Sequence, residues 1–301
     1  MAGLGGPAQP SPTLPTPAPA ASAAAPRPLP AVAGDGLYLS LGDSYAAGTT
    51  PGSYSTGRTS GTAFPYQVSG RVPGLQLVNL ACSGATSGDV LSAPGCASGL
   101  LGPGSTPYPT QPQLAAAEAV LAANPGRVRL VTIVIGGNDA TRCLDTTDAA
   151  GDFRTNPATV SCLGSAMIGL GENLGQILAR VRALVGPDVP IVGLTYPDSY
   201  LGLYTRTEPG YQDYARASQP VFEVALNPAL RAAYAGAGAS FVDITALTGG
   251  YDALDPAPGG ALPVPVQTVC RLTYMCSDQD VHATDAGHTF IADQVLAATP
   301  G

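Results

Sequence analysis

The sequence has no lysine, no tryptophan and only two histidines, and aromatic residues make up 6% of its 301 positions. Each scarcity excludes something. All 13 basic residues are arginines, set against 21 acidic ones for a formal charge of −8, and no cluster of them forms a stripe. The electrostatic footprint that a phosphate backbone requires is missing, so nucleic acid is not expected as a partner. The lack of Trp and the low aromatic content argue against a sugar-stacking groove. The longest apolar run, around 129–135, falls far short of the roughly 18 residues that cross a bilayer, and no transmembrane segment is expected. The cysteines show no CxxC spacing, which argues against a zinc site.

What remains is enough chain for one large α/β domain or two small ones. Residues 1–33 carry nine prolines among alanines, with Arg27 as the single charge. They lack the basic start and apolar centre of a secretory signal, and read as an extended Pro/Ala linker with no signal peptide visible. The folded domain is expected over 34–301. Six cysteines fall into three close pairs. Of the possible pairings, the sequential one (Cys82–Cys96, Cys143–Cys162 and Cys270–Cys276) closes the shortest loops and is the one expected. Disulfides in turn imply export to an oxidising, extracellular compartment.

Five apolar runs of strand length, 37–41, 75–81, 129–135, 190–197 and 240–244, are rich in Val, Ile, Leu and Tyr. Helices are expected between and after them near 112–123, 160–185, 211–235 and 285–298, the last behind Thr284 as N-cap. Strands alternating with helices predict a parallel sheet covered on both faces, with its functional crevice beyond the carboxyl ends of the strands. Three strand ends carry tight, Gly-containing turns: Gly42-Asp43-Ser44, "NLACSGAT" with Gly84, and "GGND" with Asn138. Such turns bring backbone N–H groups and short polar side chains to the sheet rim. Of the two histidines, His282 lies in the loop before the last helix, where it can reach another strand's end. His288 lies within that helix and reads as a residue satisfied by solvent or a neighbour. Each residue also has a plainer role: Ser44 as a helix cap, Gly84 as a turn glycine, Asn138 bonding its own loop. Asp43 and Asp139 read as turn-holding residues.

"GDSY", the Gly84 of "NLACSGAT", "GGND" and "VHATDAGH", in that order over most of 37–298, resemble the four blocks of the SGNH, or GDSL, hydrolases. "ACSGAT" together with the paired cysteines is similar to secreted actinobacterial lipases and esterases. The resemblance implies a three-layer α/β/α fold of flavodoxin type with a five-stranded parallel sheet. It also implies a serine esterase that needs no cofactor and acts through an acyl-enzyme. Ser44 would be the nucleophile and His282 the base, with the N–H groups of Ser44 and Gly84 and the Asn138 amide holding the oxyanion. One position departs from the family pattern. Where the family often has Asp three residues before the histidine, this chain has Gln279 between Asp278 and Asp280. A Ser44–His282 dyad with the imidazole oriented by the Gln279 main chain is therefore expected. Asp280 is the runner-up, and Asp278 would need a turn to reach. Expected substrates are lipid-like or short to medium acyl esters, with the Tyr-, Pro- and Gly-rich stretches at 49–66, 102–112 and 196–211 as pocket walls. A phospholipase, a carbohydrate acetylesterase and a catalytically silent surface-binding module are the alternatives on the same scaffold. A monomer is expected.

Overall fold

In the computed structural model, which describes residues 36–52, 59–144 and 156–299, each of the five apolar runs becomes a strand. β1 spans Gly36–Gly42, β2 Leu75–Asn79, β3 Val128–Val134, β4 Ile191–Leu194 and β5 Ser240–Val242. Every pairing is parallel, in the order β2-β1-β3-β4-β5. β1 is buried from end to end, as a central strand packed on both faces must be. The helices Gln113–Ala123, Pro157–Val185 and Asn227–Gly236 pack together as one outer layer; Phe64–Arg71, Val264–Leu272 and Asp285–Ala298 form the other.

This strand order reverses direction between β1 and β3, because the chain leaves β1 for β2 on one side and then returns to build β3, β4 and β5 on the other. At such a switch point the loops after the two strands diverge and leave a crevice between them. Gly42 lets the two ends lie this close. Its φ is +132°, and a Cβ there would sit 2.0 Å from the Val134 carbonyl oxygen. Any side chain would push β1 away from β3 just where Asp43 and Ser44 leave the sheet.

The helix expected at 285–298 forms as Asp285–Ala298, with Thr284 Oγ1 accepting from the Gly287 N–H. The one expected at 160–185 starts earlier, at Pro157, because Asn156 caps it by accepting from the Ala158 N–H. The stretch expected as one helix over 211–235 is instead α-helix Tyr211–Pro220, a π-helical turn Val221–Leu226 and α-helix Asn227–Gly236. Pro220 has no N–H to donate and crowds the carbonyl four residues back, and the wider π turn absorbs that break. The Pro/Ala segment 1–33 and the expected start of the domain at 34 lie outside the described residues. Among the described residues, no helix is long and apolar enough to cross a membrane.

Candidate active site

The turn after β1 is held from three directions. Asp43 caps the short helix Ser44–Ala47, its Oδ1 accepting from the Tyr45 N–H at 3.0 Å. The Gln113 side chain accepts from the Gly42 N–H at 2.7 Å and donates to the Gly42 carbonyl at 2.9 Å. That carbonyl also receives the Cys82 N–H, at 3.0 Å. Ser44 is thereby fixed at the rim, 6% exposed, with its side chain on the cleft.

After β3, Asn138 donates from Nδ2 to the Ala85 carbonyl at 2.9 Å, which ties the β3 loop to the β2 loop. A primary amide carries two N–H bonds, so one such contact fixes the plane of the other. Asp139 accepts from both the Ser87 N–H and hydroxyl and so caps the helix Ser87–Ser92 from across the loop, the structural part expected of it. Gly84 has φ +82°, a left-handed turn that suits glycine. It lines a neighbouring hollow with Cys82, Ala85 and Tyr108 rather than the cleft that holds Ser44.

His282 is 2% exposed and reaches the same cleft from the loop before the last helix. Its Nδ1 lies 2.6 Å from Asp280 Oδ1, and that oxygen also accepts the His282 backbone N–H at 2.9 Å. The contact on Nδ1 therefore comes from the runner-up, and the expected Gln279 main chain is corrected on local grounds. Gln279 ends the short helix Met275–Asp278 in a left-handed conformation, φ +55°, and its N–H is spent on the Met275 carbonyl. The chain then turns so that Asp280 closes on the amide two residues ahead, an Asx-turn that also brings the carboxylate to the ring. Asp278 accepts from Ser277 Oγ instead. Burial raises the Asp280 carboxyl, but the hydrogen bonds and charge of His282 outweigh it and hold the group below the ordinary carboxylate value. An ionised carboxylate only accepts, so the ring nitrogen that faces it, Nδ1, donates a proton to it.

His288 is found neither in solvent nor paired. It is 2% exposed, and neither ring nitrogen has a hydrogen-bond partner among the described residues. Burial pushes its pKa down to about 4, so the ring stays neutral.

The cleft, open at its mouth, is walled by Ala140, Leu144, Tyr200, Val221, Phe222 and Leu226 around Ser44, Asn138 and His282. Of the three stretches expected to line it, the start of 196–211 is the one that does so among the described residues, through Tyr196, Pro197, Ser199 and Tyr200; residues 53–58 of the stretch 49–66 lie outside the described residues. The walls from 140–144 and 221–226 have no motif in the sequence. Asp43 lines the cleft, and burial pushes its carboxyl up to about 7 against the lowering effect of its bonds from Tyr196 and the Tyr45 N–H.

The three expected disulfides are formed, with Cα–Cα distances of 5.9, 5.6 and 5.2 Å. Among the described residues, no group of three or more His, Cys, Asp or Glu is placed to hold a metal ion.

A family model described as the GDSL-like lipase/acylhydrolase family matches residues 40–290. Two solved structures share the fold: an extracellular lipase from Streptomyces rimosus and a phospholipase A1 from Streptomyces albidoflavus. Each is 22% identical, with a TM-score of 0.51 over 88% of this chain and 100% of the other. No curated protein sequence matches the chain.

Proposed function

Because the chain belongs to the GDSL-like lipase/acylhydrolase family, and is thus a hydrolase, we propose that it is an extracellular carboxylic ester hydrolase that cleaves apolar acyl esters through an acyl-enzyme on Ser44. Ser44 Oγ attacks the ester carbonyl as His282 Nε2 takes its proton, and the ionised Asp280 stabilises the imidazolium. The oxyanion is received by the N–H groups of Ser44 and Gly84 and by the Asn138 amide. His282 then protonates the departing alcohol, and water, activated by the same ring, releases the acid and restores Ser44.

The observation that carries this reading is that Ser44, Asn138 and His282, from three distant parts of the chain, line one cleft whose remaining walls are mostly apolar, with Thr141, Ser199 and Asp43 as the polar exceptions among the described residues. Among the described residues Asp43 is its single acidic lining residue, next to Ser44 in the chain. Such walls suit a hydrocarbon acyl chain better than a polyhydroxylated one. Export is supported by the three disulfides and by the similarity in fold to an extracellular lipase.

A fluorophosphonate probe followed by peptide mapping tests the mechanism. Labelling on Ser44 is expected, and an unlabelled but folded protein would make the chain a silent binding module. A series of p-nitrophenyl esters from acetyl to palmitoyl, run beside phosphatidylcholine and acetylated xylan, tests the substrate. Preference for acyl chains beyond acetyl is expected. Turnover confined to acetylated xylan would assign a carbohydrate acetylesterase instead.

A further inference from the structure

Ser44, Asn138 and His282 are each followed or preceded by a residue that one pair of tyrosines holds. Tyr45, directly after Ser44, donates its hydroxyl to the Val281 carbonyl at 2.6 Å, directly before His282. Nucleophile and base are 238 positions apart in the sequence, yet their immediate neighbours are joined by one side chain. Tyr196, in the loop after β4, donates to Asp43 Oδ2 at 2.5 Å, on the other side of Ser44. The same hydroxyl accepts the Gly137 N–H at 3.1 Å, directly before Asn138. The two rings meet edge to face, 5.0 Å between centroids at 83°. Both are buried, at 5% and 6% exposure. The space is closely fitted as well: a Cβ at Gly137 would lie 3.0 Å from the Tyr196 ring.

We propose that Tyr45 and Tyr196 are positioning residues that together set the mutual spacing of Ser44, Asn138 and His282, by holding a chain neighbour of all three. The proposal rests on the ester-hydrolase reading above.

The chemistry of the three hydrogen-bond partners makes the pair suited to this. Both hydroxyls point inward from rigid rings with two torsions each, so the distance they fix varies little. Tyr196 uses donor and acceptor functions at once, and it can do so because it stays protonated: burial and the adjacent Asp43 charge hold its pKa well above the ordinary phenol value. Tyr45 is likewise held in the donor form by burial and by the charge of Asp43. Four segments, after β1, after β3, after β4 and before the last helix, thus converge on two hydroxyls and one ring contact. The hydrolytic step needs its groups within about half an ångström of their working positions, and a misplacement of about 1 Å costs on the order of a hundredfold. A pair that spans all the segments bearing Ser44, Asn138 and His282 is placed to supply that tolerance.

The test uses Tyr45→Phe and Tyr196→Phe in the full chain, because phenylalanine keeps each ring and its packing and removes only the hydroxyl. Active sites are counted with a fluorophosphonate, so kcat on p-nitrophenyl butyrate is expressed per labelled serine and unfolded protein does not contribute. Each variant is expected to lose about tenfold or more in kcat with KM within about twofold, because the substitution keeps both cleft-lining rings and removes only hydroxyls engaged with Val281, Asp43 and Gly137. Thermal unfolding is followed in parallel. A fall in melting temperature with kcat per labelled serine within about twofold of wild type, in both variants, would reduce the tyrosines to structural residues and overturn the proposal. A wild-type protein that neither labels nor turns over the ester would instead remove the hydrolase mechanism itself, which separates the two failures.

Discussion

Asp280→Asn isolates the charge behind His282. In the structure one carboxylate oxygen, Oδ1, accepts both the ring Nδ1–H and the backbone N–H of His282. An asparagine can place its amide oxygen on that spot, so both hydrogen bonds and the required tautomer survive, and what disappears is the negative charge. The Asp280 side chain is 17% exposed and the His282 side chain 3%, a partly buried setting. Two unit charges about 4 Å apart at an effective dielectric constant of about 20 attract by about 4 kcal/mol. That attraction exists only once the ring is protonated in the transition state, and the amide dipole restores part of it. A loss of about 2–4 kcal/mol is left, which is roughly 30- to 1,000-fold in kcat. Asp280→Ala removes the acceptor too, frees the ring to rotate and change tautomer, and is expected to approach the roughly 10⁴ seen when a triad carboxylate is disabled. The assay is kcat per fluorophosphonate-labelled serine on a soluble ester at pH 8, with circular dichroism to confirm folding. The graded order, wild type above Asn above Ala, is the signature. If both variants stay within tenfold of wild type, the Asp280 contact contributes no catalysis and orientation by a neutral main-chain acceptor is restored.

Ser44→Ala is expected to abolish ester turnover and fluorophosphonate labelling while melting close to wild type; residual turnover would end its assignment as nucleophile. Asn138→Ala should lower kcat by about 10²–10³ with little change in KM, measured by steady-state kinetics. Loops of 14, 19 and 6 residues give chain-entropy contributions of about 3, 3 and 2 kcal/mol for the three disulfides. Reduction should accordingly lower the melting temperature by many degrees, and mass spectrometry of the unreduced protein should find no free thiol. Asp198 is buried, accepts from Ser218 Oγ at 2.7 Å, and is pushed by burial up to about 7. Its unfolded value is near 3.9, so the folded state holds the proton in between, and stability falls as pH rises from about 4 through 7 by up to about 4 kcal/mol. Asp198→Asn should lack that fall in urea unfolding at pH 5 and 8; equal slopes in both proteins would show that the group does not titrate.

The sheet was legible because its signal is crude and repeated. The central strands β1, β3 and β4 are mostly apolar runs, and burial on both faces writes that pattern whatever the neighbours are, while the edge strands β2 and β5 are partly exposed and carry it less cleanly. The long helices were legible from length and from one good cap at Thr284. Shorter ones escaped although they carry signals. Pro65 and Pro265 stand in the first turns of Phe64–Arg71 and Val264–Leu272, and Thr86 and Asp89 form a capping box at Ser87–Ser92. Those cues mark where a helix begins but say little about whether eight residues will hold one without tertiary contacts. The π turn at Val221–Leu226 was hidden for a related reason: Pro220 announces a break, yet whether a helix stops, kinks or widens there depends on what packs against it.

The site divides along the same line. Ser44, Gly84, Asn138 and His282 stand in turns whose composition is unusual enough to read in one dimension. The groups that aim them do not. Asp280 was readable only as one of three candidates, since the choice between a main-chain acceptor and a carboxylate depends on the left-handed turn at Gln279, a residue with no intrinsic preference for it. Tyr45 carries no reading of its own in the sequence and Tyr196 stands only within a stretch expected as pocket wall, because a hydroxyl's partner 236 or 153 residues away leaves no local trace. His288 misleads in the opposite direction. An imidazole at the end of a strong motif, six residues after His282, suggests chemistry or solvent, and its neutral burial behind Tyr45, without a hydrogen-bond partner among the described residues, follows only from the helix placing it inward. Sequence therefore exposes the groups proposed to meet the substrate, since their chemistry restricts which residues can serve. The geometry that makes them work is carried by residues whose side chains are common and whose partners are remote, and only the folded chain identifies them.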